Sequence, residues 1–274
     1  MSTIDLDAYF QRIGYAGART PTLETLRELH LLHAQAIPFE NLTPLLKQSV
    51  NLDAQTLQQK LVHERRGGYC YELNGLFSLA LDALGFRVTR LGARVVYLGD
   101  VNAYPPRTHM LLRVDVGDES WIADVGFGGM VLTAPLRLAV DVVQETPHEP
   151  FRIVRWRDEY LMESLVREAW VPLYRFTLQE QAASDYELGN WYVSTHPTSL
   201  FVNLLMASRP APGLRYALRN NELAIHRLNG GAERQTLTTG NELRTALVDL
   251  IQIELPRGLE VDGLLERISA GTTV

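Results

Sequence analysis

Apolar positions keep a helical period through roughly the first 85 residues and alternate along much of the remaining chain. Ile4, Leu6, Tyr9, Phe10 and Ile13 make one short amphipathic stretch that ends at Gly14. Thr20-Pro21 offers a second helix start, with proline in the first turn. Leu23, Leu26, Leu29, His30, His33 and Ile37 then follow down one side, and Pro38 stops the helix. A third helix begins at Asp53, a good N-cap, and runs through Leu57 and Leu61 to Arg65, closed by Gly67-Gly68. In a fourth, Leu73, Leu76, Phe77, Ala80, Leu81 and Leu84 recur at helical spacing, so one face is buried. The pattern predicts an N-terminal helical bundle.

From Phe86 the period changes to two. Arg87 to Leu91, Ala93 to Leu98, Met110 to Val114 and Trp121 to Val125 read as strands. Phe151 to Trp156 and Tyr160 to Leu165 flank Arg157-Asp158-Glu159, a hairpin turn, and Trp170 to Leu178 is a further strand. Many short strands with turn signals between them predict an antiparallel barrel or sandwich rather than a doubly wound sheet. Helical character returns over Ser184 to Leu205, interrupted near Thr195 to Ser199. Leu214 to Leu228 is hairpin-like and turns at Asn220-Asn221, with Asn229-Gly230-Gly231 as a second turn. Helices over Asn241 to Glu254 and Val261 to Ser269 close an α+β chain with no internal repeat and no linker.

Composition narrows the function classes. An apolar fraction of 46% and a charged fraction of 21% in 274 residues describe an ordinary globular protein with a substantial core. The net charge of -6, with no Lys/Arg block, argues against a nucleic-acid or anionic-membrane surface; an anionic cosubstrate would need a local positive pocket. One cysteine makes no intrachain disulfide, the N-terminus lacks a signal-peptide pattern, and no apolar run nears the ~20 residues of a membrane span. A reduced, cytoplasmic protein is expected.

That one cysteine, Cys70, stands between Gly67-Gly68 and the fourth helix. Taken alone, a lone cysteine is most often a small buried hydrophobe. A helix start, however, has free N–H groups and a favourable dipole, which stabilise a thiolate, and the glycines leave room for a substrate. A nucleophile also needs a base and an orienter. His30 and His33 have a helical spacing that can hold metal, but no further ligand accompanies them, so packing is the better reading and no metal is expected. His109 stands at a strand start behind Pro105-Pro106 and suits a general base. Asp124 ends the next strand among apolar neighbours, where a carboxylate must be paired; an imidazole is the economical partner. A four-residue loop at Gly117 to Ser120 would set Arg113 opposite Asp124, and a two-residue turn at Val116-Gly117 would set His109 there. Both registers put His109 and Asp124 on one face.

Five stretches in order extend this picture: Pro38-Phe39-Glu40-Asn41, Arg66-Gly67-Gly68-Tyr69-Cys70-Tyr71-Glu72-Leu73-Asn74, Pro106-Arg107-Thr108-His109, Asp124-Val125-Gly126-Phe127-Gly128 and Ser194-Thr195-His196-Pro197-Thr198-Ser199-Leu200-Phe201. With them the chain resembles the arylamine N-acetyltransferases, and its length and compact middle resemble the bacterial branch. The resemblance implies a helical bundle over 1–86, a β-barrel over 87–183, an interdomain helical segment over 184–204 and an α/β lid over 205–274. It implies a cysteine-protease-like triad of Cys70, His109 and Asp124, with acetyl-coenzyme A as cosubstrate, no permanently bound cofactor, and arylamine or arylhydrazine acceptors. It further implies an aromatic slot of Phe39, Tyr71, Val96, Phe127 and Phe201, cosubstrate contacts at Thr108 and Gly128, and a Glu40–Arg66 pair bracing the cysteine turn. Read without the resemblance, that pair is a surface ion pair of little weight. Other Cys-His-Asp enzymes share the chemistry, but papain-like proteases carry their histidine much further from the cysteine than His109 is from Cys70. An inactive binding protein would have no need of all three residues.

Overall fold

The computed structural model describes residues 4–271 apart from 229 and 257. Side chains set the ends of the first helices. In α1 (Leu6–Ile13) the Asp5 carboxylate accepts the Ala8 N–H, and Gly14 ends the helix at a left-handed φ of 73°. Helix α2 (Leu23–Ala36) starts later than the Thr20-Pro21 signal predicts. Thr22 caps it by accepting the Thr25 N–H, so Pro21 lies before the cap rather than in the first turn. Asp53 caps α4 (Ala54–Gln58), which continues as a π-helical turn over Gln59–His63. Between α2 and α4 lie β1 (Phe39–Glu40) and α3 (Leu42–Leu45), pieces too short to show in a periodic pattern. Helix α5 (Cys70–Ala83) buries Leu73, Leu76, Phe77, Ala80 and Leu81 completely.

Eight strands come next in one antiparallel sheet, ordered β5-β4-β3-β2-β9-β8-β7-β6. They are β2 (Arg87–Val95), β3 (His109–Val116), β4 (Glu119–Ala123), β5 (Leu136–Arg137), β6 (Val143–Gln144), β7 (Phe151–Trp156), β8 (Glu159–Val166) and β9 (Ala169–Glu180). The two segments expected from Arg87 to Leu98 are thus one strand. The side chain of Gln144 bonds both the N–H (2.8 Å) and the carbonyl (2.9 Å) of Arg137, which draws the sheet's two edges together into a nearly closed barrel. Leu91, Leu111, Ile122, Phe151, Met162 and Phe176 fill one face. From the other face Met110, Leu112, Val114, Trp121 and Ala123 pack on the helices. Strand β3 is therefore buried on both sides, which explains the unbroken apolar run Met110-Leu111-Leu112.

The β3–β4 turn is at Gly117-Asp118, since Val116 pairs with Glu119 and Leu112 with Ala123. Neither register considered from the sequence occurs. Continued by one pair, the ladder would set Asp124 opposite Leu111, two residues from His109, on the same face.

Helices α6 (Ala183–Thr195) and α7 (Leu200–Asn203) lead to a second sheet, β1-β10-β11-β12-β13, backed by α8 (Gly240–Thr245) and α9 (Leu259–Ser269). The hairpin of β11 (Leu214–Arg219) and β12 (Glu222–Arg227) turns at Asn220-Asn221 as the sequence predicts, with Asn220 at φ 51°. In the next turn Gly230 and Gly231 have φ near 93° and 94°; Asn229 lies outside the described residues. Strands β10 (Met206–Ala211) and β13 (Ala232–Thr236) were not apparent in the pattern. Edge strand β1 comes from the N-terminal region and pairs Phe39 with Ser208, while Leu42 and Leu45 sit in the C-terminal core. Among the described residues no helix is long and apolar enough to cross a membrane.

Asn41 ties these parts together. Fully buried, it donates to the carbonyls of Phe201 (2.9 Å) and Leu204 (2.7 Å) and accepts the Met206 N–H (2.8 Å). An unsatisfied buried backbone group costs about 1–3 kcal/mol, so Asn41→Ala should lose at least about 2 kcal/mol of stability. Urea denaturation monitored by fluorescence measures this.

Candidate active site

Cys70 is the first residue of α5, and the structure fixes that helix start from below. The Glu72 carboxylate accepts the Tyr69 N–H at 3.2 Å and is itself held by the Lys60 ammonium at 2.6 Å. Glu40 binds Arg66 at 3.1 Å and lies 4.0 Å from Lys60. All four side chains are buried, which corrects the surface reading of Glu40–Arg66. Removing one partner of such a pair strands a charge and costs far more than a surface pair is worth. Gly67 and Gly68 are glycines for lack of room: a Cβ on Gly67 would meet the Pro38 carbonyl at 2.3 Å.

Cys70 is 3% exposed. Its Sγ lies 3.6 Å from the Thr108 carbonyl oxygen and close enough to His109 for the sulfur to raise that imidazole's pKa. His109 opens β3 opposite Ala93, and its Nε2 meets Asp124 Oδ2 at 2.7 Å, which leaves Nδ1 for the sulfur. Phe127 (5.0 Å between ring centroids) and Tyr174 (4.9 Å) clamp the imidazole. Asp124 is fully buried just past the end of β4. Its Oδ1 accepts from Asn74 Nδ2 and from the Gly126 N–H, each at 2.9 Å, and its own N–H donates to His30 Nε2 at 3.1 Å. Gly126 must be glycine because a Cβ there would lie 2.8 Å from the Cys70 Cα.

These contacts set the charges. Burial by itself disfavours the His109 imidazolium, but the Asp124 charge and hydrogen bond, with Cys70, hold its pKa up to about 10. Burial opposes the charge on Asp124 as well; His109, Asn74 and the Gly126 N–H outweigh it and keep the carboxyl below its ordinary range. Burial, then the Asp124 charge, push the Tyr174 hydroxyl well above its usual value, so it stays protonated.

Sequence reasoning missed three supporting residues. Asn74 lies one helical turn after Cys70, a spacing that places it on the same face and could have revealed it. Tyr174 read as a strand residue, and His30, noted only for its spacing from His33, read as core packing with no signal toward Asp124. Among the expected slot residues, Phe39 and Phe201 pack at 5.9 Å, with Gly128 against Phe39, and Phe127 covers His109. Tyr71 reaches Phe201 only through Tyr69 (6.1 and 5.3 Å). Val96 is buried just past β2, whereas Val95, two residues on from Ala93 opposite His109, pairs with Tyr174 and is 36% exposed. A cavity of about 510 Å³ is lined by Arg107, Thr108, Asp185 and Tyr192. A larger groove of about 1140 Å³ runs along Asp53, Tyr186 and Trp191, and neither it nor the smaller cavity is lined by Cys70, His109 or Asp124.

Comparison with known proteins identifies the family. Residues 22–259 match a family model described as N-acetyltransferase. The arylamine N-acetyltransferase of Mycolicibacterium smegmatis is 44% identical over 92% of this chain and 93% of its own length. That of Escherichia coli is 46% identical over 84% of this chain and 82% of its own. A solved structure of the Mycobacterium marinum arylamine N-acetyltransferase in complex with CoA aligns at a TM-score of 0.93 and 42% identity, covering 96% of this chain and 99% of that one. By family model, sequence identity and fold, this chain belongs to the arylamine N-acetyltransferase family.

Proposed function

We propose that the protein transfers an acetyl group from acetyl-coenzyme A to the nitrogen of arylamines and arylhydrazines, through a thioester on Cys70. The observation that carries this reading is the buried His109–Asp124 pair at 2.7 Å, with the Cys70 sulfur near it at a helix start, in a chain of this family. An imidazolium that persists to about pH 10 beside a sulfur is the partner a thiolate needs.

In the first half-reaction the Cys70 thiolate attacks the acetyl carbonyl, the bond to coenzyme A's sulfur breaks, and His109 gives that sulfur its proton. Coenzyme A leaves, with His109 neutral. In the second half-reaction the amine nitrogen attacks the Cys70 thioester, the carbon–sulfur bond breaks, and His109 takes the amine's proton. The thiolate–imidazolium pair is restored. Asp124 keeps the ring aligned throughout, and free N–H groups at the start of α5 face the developing oxyanion. Phe39, Phe201 and Phe127 line the acceptor slot, with Val95 rather than Val96 at its wall. Thr108 and Gly128 contact the cosubstrate, and Arg107 beside Thr108 supplies the positive charge that an anionic donor requires in an acidic protein. In this reading residues 1–86 carry the nucleophile, 87–183 its base and orienter, and 205–274 the lid reached through 184–204. A reducing cytoplasm suits an enzyme whose single thiol is its catalyst.

Mass spectrometry after mixing with acetyl-coenzyme A should find one acetyl group on Cys70, discharged by an added arylamine. Cys70→Ala should form no adduct and lose turnover by at least about a thousandfold; transfer that survives would refute the nucleophile assignment.

The His109–Asp124 pair also predicts a pH dependence. The folded pKa of His109, about 10, lies above the ~6.5 of a free imidazole, so the pair's stability is complete below that lower value and is lost as pH rises through the upper one. Denaturation midpoints should fall over this window in the wild type and fall less in His109→Gln.

A further inference from the structure

The β3–β4 ladder ends where Leu112 faces Ala123, so the next backbone N–H, that of Asp124, has no strand partner. Its acceptor is a side chain from α2, the Nε2 of His30, at 3.1 Å. We propose that His30 is a positioning residue for acetyl transfer, holding the Asp124 backbone so that its carboxylate stays in line with the His109 ring. This inference rests on the Cys70–His109–Asp124 triad and adds a residue from outside the five motifs.

The ring is well placed for such a role. His30 is fully buried, with its edge on Phe77 at 5.8 Å between centroids. His33, one turn on, packs on the same Phe77 at 5.2 Å and is tied to the Tyr9 hydroxyl at 2.9 Å. A ring held this way has little freedom to leave its partner. The charged or titratable groups facing the two histidines are Asp124 from the barrel side and Tyr9 and Arg12 from α1. Burial pushes His30 down to about 4, so the ring is uncharged through the neutral range, and the Asp124 N–H at 3.1 Å selects the tautomer with the lone pair on Nε2.

A neutral acceptor is also what the site requires. An aspartate or glutamate in its place would set a second negative charge beside Asp124 and compete for the His109 proton. Asn74 and the Gly126 N–H hold one carboxylate oxygen and His109 meets the other, but these bonds fix a plane only if the backbone beneath is fixed. Asn74 holds the next residue through the Val125 N–H at 3.0 Å. His30 holds Asp124 itself.

The test compares His30→Leu, which removes the acceptor, with His30→Gln, whose amide oxygen can take its place. Two quantities are read: the titration of the His109 imidazole by nitrogen-15 NMR, and the single-turnover rate of Cys70 acetylation. In His30→Leu the His109 titration should fall by about one unit or more, and acetylation should slow by about ten- to a hundredfold. KM for the acceptor should stay within about twofold, and His30→Gln should recover both quantities. A merely structural role would lower the melting temperature of His30→Leu and leave the His109 titration and acetylation rate where they are; that result overturns the proposal. Equal defects in the Gln and Leu variants overturn it too. If His30→Leu does not fold, the wild type decides. A scalar coupling across the hydrogen bond between the Asp124 amide nitrogen and His30 Nε2 supports the assignment, and its absence refutes it. A wild-type His109 that titrates at its ordinary value would instead sink the triad reading, and the positioning role with it.

Discussion

A carboxylate with no access to water costs several kcal/mol unless its oxygens are met by donors. Asp124 is in that position, and the meeting of its needs organises the molecule. Its donors come from separate parts of the chain: Asn74 from α5, His109 from the start of β3, and the Gly126 N–H from the turn just after it. Its backbone is anchored to α2 through His30. Helices and barrel are thus joined at one buried charge. That charge is best satisfied by an imidazolium, and the same arrangement raises the His109 pKa to about 10.

The second constraint is closeness. The turn after Asp124 passes so near α5 that a single added carbon at Gly126 would strike the Cys70 backbone. Gly189 on α6 leaves similar room for the Tyr71 hydroxyl, and Gly67 for the Pro38 carbonyl. Packing this tight is useful only if the helix start does not move. The buried Lys60–Glu72 and Arg66–Glu40 pairs hold it still. Ion pairs of this kind add modest net stability; their effect is to make one position of the turn far better than its neighbours.

Much of this was legible in the chain. Helical spacing located α1, α2, α4 and α5 and put Cys70 at a helix start. Alternation located β2, β3, β4, β7, β8 and β9, though not the two-residue β5 and β6, and placed His109 and Asp124 on one face. The Val116-to-Ser120 stretch did not declare its turn: Gly117-Asp118 gives a third register, and turn position is decided by which cross-strand pairs pack best. Val95 and Val96 are equivalent by composition, and only the pairing of Val95 with Tyr174 distinguishes them. His30, a core histidine by its spacing, acquires its partner from a residue far along the chain.

What the sequence determined by itself is therefore local: periodicity, caps, the glycine turn, and a thiol, an imidazole and a carboxylate each at the end of an element. Tertiary structure alone decided which of these groups meet. It chose Asn74, Gly126 and His30 as the partners of Asp124, put Glu40 and Arg66 in the interior, and lent β1 and α3 to the C-terminal core. The physical reason is range. Backbone preference and side-chain spacing act over a few residues and can be read in order. Desolvation and close packing act between segments a hundred residues apart, and their outcome depends on every other segment having found its place.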